Sequence, residues 1–148
     1  MNILGVPKSN VYIYNYKVRT FSYHRQEILD EIYRIKKDFQ PDLVFLPSTQ
    51  DLHQDHEVIC NEGIRCFKTT CILGYEEPWN NISFPTNCFV RLQDKHINKK
   101  IEALKCYKTQ KYRTYLNESF IKALAITRGT QIQAKYAEAF EIVRWILI

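Results

Sequence analysis

The run D-L-V-F-L-P, residues 42–47, constrains the fold more than any other stretch of this chain. It is short, continuously apolar and flanked by prolines at 41 and 47. Such a run fits a strand buried on both faces, as in a parallel sheet covered by helices. Its surroundings point the same way. Upstream, Ile28, Ile32, Ile35 and Phe39 recur at spacings of four, three and four. They predict a helix over 23–39 with one apolar face, ended by Pro41. Downstream, residues 48–55 are polar, and Cys60, Ile64 and Phe67 predict a helix that begins near Asp55. The segments C-I-L-G-Y-E (71–76) and C-F-V-R-L (88–92) are further strand candidates. Residues 95–110 predict a helix, with Ile97, Ile101 and Leu104 on one face, and residues 118–127 another, closed by Gly129. The segment 136–147 is compatible with helix and with strand. Residues 11–21, V-Y-I-Y-N-Y-K-V-R-T-F, predict a strand running into a loop. Helix, strand, loop, helix, strand is an α/β order, and 148 residues suffice for a single domain with a real core.

Composition narrows the function classes. Apolar residues make up 45% and charged residues 25%, which argues against disorder. The net charge of +5 is mildly basic, but the lysines are scattered. The densest group, Lys99, Lys100 and the K-Y-R at 111–113, reads as a solvated helix face, so no nucleic-acid partner is expected. Five cysteines without C-x-x-C spacing argue for reduced, mostly buried thiols and a cytoplasmic setting. The amino-terminal residues lack a secretory pattern, and no stretch is apolar enough for a membrane span.

Chemistry concentrates in D-L-H-Q-D-H, residues 51–56, which holds two of the four histidines. In an open α/β sheet the ligand crevice lies beyond the carboxyl ends of the strands, and this loop follows such a strand directly. Three uses are open. The cluster can hold zinc through a neutral imidazole or a carboxylate. It can act as an acid–base pair, with Asp55 fixing an imidazole tautomer. It can also be a loop in which Asp51 or Asp55 caps the following helix. His24 and His96 sit in helical patterns without special spacing and read as surface residues.

The stretch P-D-L-V-F-L-P-S-T-Q-D-L-H-Q-D-H (41–56) resembles the second signature block of the PIG-L/LmbE-like de-N-acetylases. G-Y-E-E-P-W-N (74–80), K-I-E-A-L-K-C-Y-K-T-Q (100–110) and R-G-T-Q-I-Q-A-K-Y-A-E-A-F (128–140) are similar to further blocks, in the family's order. The resemblance implies a Rossmann-like α/β fold, a mostly parallel sheet with flanking helices. It implies zinc or another divalent metal, and hydrolysis of the acetamide of an N-acetylglucosamine-containing glycoconjugate by metal-activated water. Carried over, His56 resembles a metal ligand, His53 the histidine that assists the tetrahedral intermediate, and Asp55 the aspartate between them. Arg19, Arg128, Tyr136 and Glu138 lie in family-like segments that face an N-acetylated amino-sugar substrate. Trp79 is a candidate for stacking on the sugar.

One departure is large. The family's A-H-P-D-D-E segment, which supplies two metal ligands and the general base, has no counterpart in the sequence. On this reading the chain is amino-terminally truncated by roughly 60 residues, about two strand–helix units. It is expected to be inactive or weak alone, and to associate with itself or with a complementing amino-terminal segment. The alternative is a non-catalytic remnant or sugar-binding module of the same family.

Overall fold

The computed structural model describes residues 2–110 and 112–147; Lys111 of the basic group lies outside the described residues. The elements run α1 (Arg25–Phe39), β1 (Leu43–Pro47), α2 (Gln54–Cys66), β2 (Cys71–Tyr75), β3 (Cys88–Leu92), α3 (Asp94–Leu104), α4 (Glu118–Thr130) and β4 (Tyr136–Arg144). The strands form one mixed sheet in the order β1-β2-β4-β3. The architecture is thus α/β, with helices flanking the sheet. The chain divides into two compact units, one of Asn15–Cys88 with Ala139–Ile148, the other of Met1–Tyr14 with Phe89–Glu138.

In the first unit, β1 and β2 run parallel, with Leu43 opposite Cys71 and Pro47 opposite Tyr75. Strand β4 joins β2 antiparallel, so that Gly74 faces Glu141. The core gathers Leu29 of α1, Leu46 of β1, Cys66 and Phe67 at the end of α2, and Ile72 of β2. Full burial of each large apolar side chain contributes roughly 1.5–3 kcal/mol. Helix α2 comes close to β1 at Gly63, where an added Cβ would lie 2.6 Å from both methyls of Leu46. Any larger residue there must displace the buried Leu46 side chain, and with it the packing of α2 on the strand that carries the site loop.

In the second unit, Ile97 and Ile101 of α3 pack with Ile121 and Ala125 of α4. The apolar periodicity of α3 stops at Leu104 and the helix stops with it, short of the predicted residue 110. Gly129 does not close α4 but lies in its last turn, where the chain doubles back. A Cβ there would sit 2.5 Å from the Ala134 carbonyl oxygen.

Two expectations need correction. Residues 11–21 form no strand: they pass through irregular structure to a turn, and Ile13 is 88% exposed. Their β-branched and aromatic content is a preference for a half-buried pleated surface, and among the described residues no strand pairs with them. Strand β1 is not buried on both faces either. It is an edge of the sheet, with Leu43 and Phe45 exposed and only its carboxyl end, Leu46 and Pro47, buried. The ambiguous segment after 136 is strand β4.

Candidate functional site

The site grows from the carboxyl end of β1. The loop after it turns twice before α2 starts, and His53 is the residue that caps that helix. Its Nδ1 accepts the Asp55 backbone N–H at 3.2 Å. An imidazole therefore fills the position expected for an aspartate, satisfying one of the unpaired amides at the helix start. One turn on, the His56 ring stacks on the His53 ring, centroids 4.5 Å apart.

Asp51 organises this pair. Its side chain is fully buried, and its Oδ1 accepts the His53 backbone N–H at 2.8 Å. Its Oδ2 lies 2.8 Å from His56 Nδ1. A carboxylate on one ring nitrogen fixes the tautomer and leaves the other nitrogen for chemistry. Asp55 does a different job. It accepts the backbone N–H of Arg19 at 2.6 Å and of Phe21 at 3.3 Å. Arg19 needs that anchor, since its φ of 69° lies in the left-handed region that favours glycine. The Arg19 side chain is exposed. The carboxylate on an imidazole is thus Asp51, while Asp55 pins the turn at 17–20 to the start of α2.

The loop after β2 supplies the rest. Asp51 and Asn81 form an isolated antiparallel bridge that brings this loop against the first. Glu77 N–H donates to Asn81 Oδ1 at 2.8 Å. Asn81 Nδ2 is buried without a hydrogen-bond partner, the one such side-chain atom among the described residues. One ligand atom from each of Asp51, His56 and Glu77 lies within 4.8 Å of the others. An imidazole and two carboxylates are a donor set suited to zinc and similar divalent ions, so the residues present fit such an ion. Burial raises the Glu77 carboxyl, and Asp51 adds to this while His56 and His53 oppose it. Burial also pushes the Tyr75 hydroxyl up to about 12, helped by Glu77 and Asp51.

A second carboxylate braces the loop from behind. Glu141 of β4 is buried, and it accepts Ser48 Oγ–H at 2.7 Å, Thr49 N–H at 2.9 Å and the Thr49 hydroxyl. Neither Glu77 nor Glu141 was selected from the sequence. Glu77 lies in the family-like G-Y-E-E-P-W-N block, which was the available signal. Glu141 offered none, since one acid in an ambiguous apolar segment has no pattern.

The remaining sequence candidates lie in the second unit and are described there. Glu138 pairs with Lys100 at 2.5 Å. Arg128 donates to Gln131 at 3.1 Å, and the Lys135 ammonium sits 5.0 Å from the Tyr136 ring centre. His96 closes a capping box at the start of α3. Back in the first unit, His24 pairs with Glu27, and Trp79 is exposed. No described helix is long and apolar enough to cross a membrane.

Residues 1–67 match the family model described as PIG-L: GlcNAc-PI de-N-acetylase. The fold is similar to that of N,N'-diacetylchitobiose deacetylase from Pyrococcus horikoshii, at a TM-score of 0.72 and 23% identity. That match covers 96% of this chain and 59% of the deacetylase. The zinc-inhibited form of teicoplanin deacetylase Orf2 gives a TM-score of 0.66 at 16% identity, covering 87% of this chain and 55% of that one. A conserved protein from Thermus thermophilus gives a TM-score of 0.61 at 17% identity, covering 82% of this chain and 60% of that one. The chain thus spans somewhat over half the length of these proteins.

Proposed function

We propose, from the premise that this chain belongs to the PIG-L/LmbE-like family, that residues 1–148 are the carboxy-terminal portion of one de-N-acetylase domain. Its substrate is the acetamide of an N-acetylglucosamine-containing glycoconjugate. The observation that carries this reading is the stacked His53–His56 pair, with His56 held by buried Asp51 at the carboxyl end of β1. A buried carboxylate bonded to an imidazole is the arrangement used where a histidine must ligate or transfer a proton in a fixed orientation.

His56 is the residue that would hold a divalent metal, which when bound supplies a Lewis acid for the acetamide oxygen and for water. His53, stacked beside it, is placed to donate a proton to the departing amine or to a developing oxyanion. Asp55 is a positioning residue, fixing Arg19 and the turn before α1. Arg19, Arg128, Tyr136 and Glu138 remain proposed substrate contacts. The compartment proposed is the cytoplasm.

The sequence contains no A-H-P-D-D-E segment, so residues 1–148 alone should release amine from an N-acetylglucosaminide slowly or not at all. Supplying a family amino-terminal segment in trans should raise the rate. His53→Ala should then lower it by about 100-fold or more. Rapid release by residues 1–148 alone would sink the expectation of a composite site. No release under either condition would leave the sugar-binding reading in its place.

A further inference from the structure

The lysines and arginines that look scattered along the sequence gather in the second unit. Residues 1–14 and 89–138 hold twelve of them against four acids, a net +8, whereas the other residues hold nine against twelve, a net −3. A cavity of about 500 Å³ lies wholly among residues of the basic unit. That volume is within the range of small-molecule sites. One stripe of α3, His96, Lys99, Lys100 and Ala103, forms a wall, at spacings that keep these residues on one side of the helix. The core face of the same helix, Ile97 and Ile101, packs against α4 instead. Leu4, Leu92 and Leu104 join Ala103 in an apolar floor, and Leu4 is 53% exposed. Polar groups meet this floor. His96 Nδ1 accepts the Gln93 N–H at 3.0 Å, so the neutral ring carries its proton on Nε2 and donates from there. Lys100 pairs with Glu138, an acid of the same wall, at 2.5 Å, and Lys99 pairs with exposed Glu102 at 3.0 Å. An exposed pair is held weakly and yields to a better acceptor. Among the lining residues two ammoniums thus stand against one carboxylate, in a unit whose net field attracts anions.

We propose that this cavity binds an amphipathic anion, a hydrocarbon or aryl body with one carboxylate or phosphate head. The body displaces water from Leu4, Leu92, Ala103 and Leu104, and the head takes Lys99, Lys100 and the His96 Nε2–H. A cationic ligand of the same shape meets the positive field, and a neutral one leaves the ammoniums without a new partner. The histidine pair takes no part in the cavity, so the proposal does not rest on the deacetylase reading. Glu138, offered above as a substrate contact, serves here by holding Lys100 at the wall.

The test titrates residues 1–148 in a calorimeter at low salt with octanoate, octyl phosphate, 1-octanol and octylamine. Each anion is expected to bind at one per chain, and the alcohol and the amine at least about 10-fold more weakly. The tighter anion tells a carboxylate head from a phosphate head, and either supports the site. Lys99→Gln combined with Lys100→Gln should lower octanoate affinity about 10-fold and leave that for 1-octanol unchanged. Lys122→Gln on α4, a loss of charge elsewhere in the same unit, should alter neither. Ala103→Phe, which fills the cavity from a helical position, should abolish both. Equal affinity for octanoate and 1-octanol, or undiminished octanoate binding by folded Ala103→Phe, would overturn the proposal. A second readout needs no variant. In amide proton–nitrogen spectra of the unmodified chain, octanoate should shift Leu4 and residues 96–104 and leave residues 51–56 in place. Shifts confined to other residues, or no binding by either anion, would overturn it.

Discussion

Both units carry exposed acids, but among the described residues only the first also buries carboxylates. In the first, Asp51, Asp55, Glu62 and Glu141 are all buried, and each is matched to named donors. Glu62 takes two guanidinium groups, Arg25 at 2.6 Å and Arg65 at 2.5 Å. Glu141 takes three donors from Ser48 and Thr49. In the second unit the acids pair with lysines in water: Asp94 with Lys135, Glu118 with Lys122, Glu138 with Lys100. A buried carboxylate exacts a large desolvation cost and so dictates the positions of its neighbours. An exposed one is screened and dictates little. The difference teaches where precision is held: in the unit that carries the histidine pair.

Three measurements probe that contrast, beginning with the largest expected effect. Glu141→Ala removes the acceptor for the Thr49 amide and opens a void behind the site loop. It should cost about 2–4 kcal/mol in urea unfolding. A loss no larger than that of a surface substitution would show that the brace is dispensable.

Cys60 comes next. Burial, with Glu141 and Asp51 adding repulsion, pushes its thiol from 9.0 up to about 11. A two-unit rise leaves roughly 100-fold less thiolate near neutral pH, so disulfide-reagent labelling should reach exposed Cys106 long before Cys60. The sign for stability follows from linkage. The folded state holds the Cys60 proton more tightly than the unfolded chain, so this contribution is full below pH 9 and is lost as pH rises through 11. Cys60→Ala should therefore flatten the alkaline limb of the stability curve.

The smallest effect is expected in the other unit. Asp94 and Lys135 approach to 2.7 Å but both are exposed. Asp94→Ala should leave the urea midpoint unchanged within error. A measurable loss there would dissolve the distinction between the units.

The sequence carried the helices and the site loop well, because both depend on local signals. The four-three-four spacing of Ile28, Ile32, Ile35 and Phe39 marks α1, and Pro47 followed by polar residues marks the end of β1. Residues 11–21 read as a strand and are not one, since pairing needs a neighbour that composition cannot supply. β1 read as fully buried, yet it lies at the edge of the sheet, and strand order is a property of the whole chain. The histidine pair was legible for the same reason as the helices. Its partners were not, because Glu77 and Glu141 reach the site across 21 and 85 positions from His56 by pairing in the sheet and between loops. Asp51 was visible but looked like a helix cap, the task that His53 performs.

The tie from Ser48 and Thr49 to Glu141 spans 92–93 residues. A ribosome delivers the D-L-H-Q-D-H loop long before it delivers Glu141. Until then the loop lacks its Glu141 brace, and β2 lacks its antiparallel partner. Such long-separation contacts form late and slow the completion of the fold. A premature stop shortly before codon 141 would therefore leave His53, His56, Asp51 and Glu77 all present in the polypeptide, on a loop whose tie to β4 is missing.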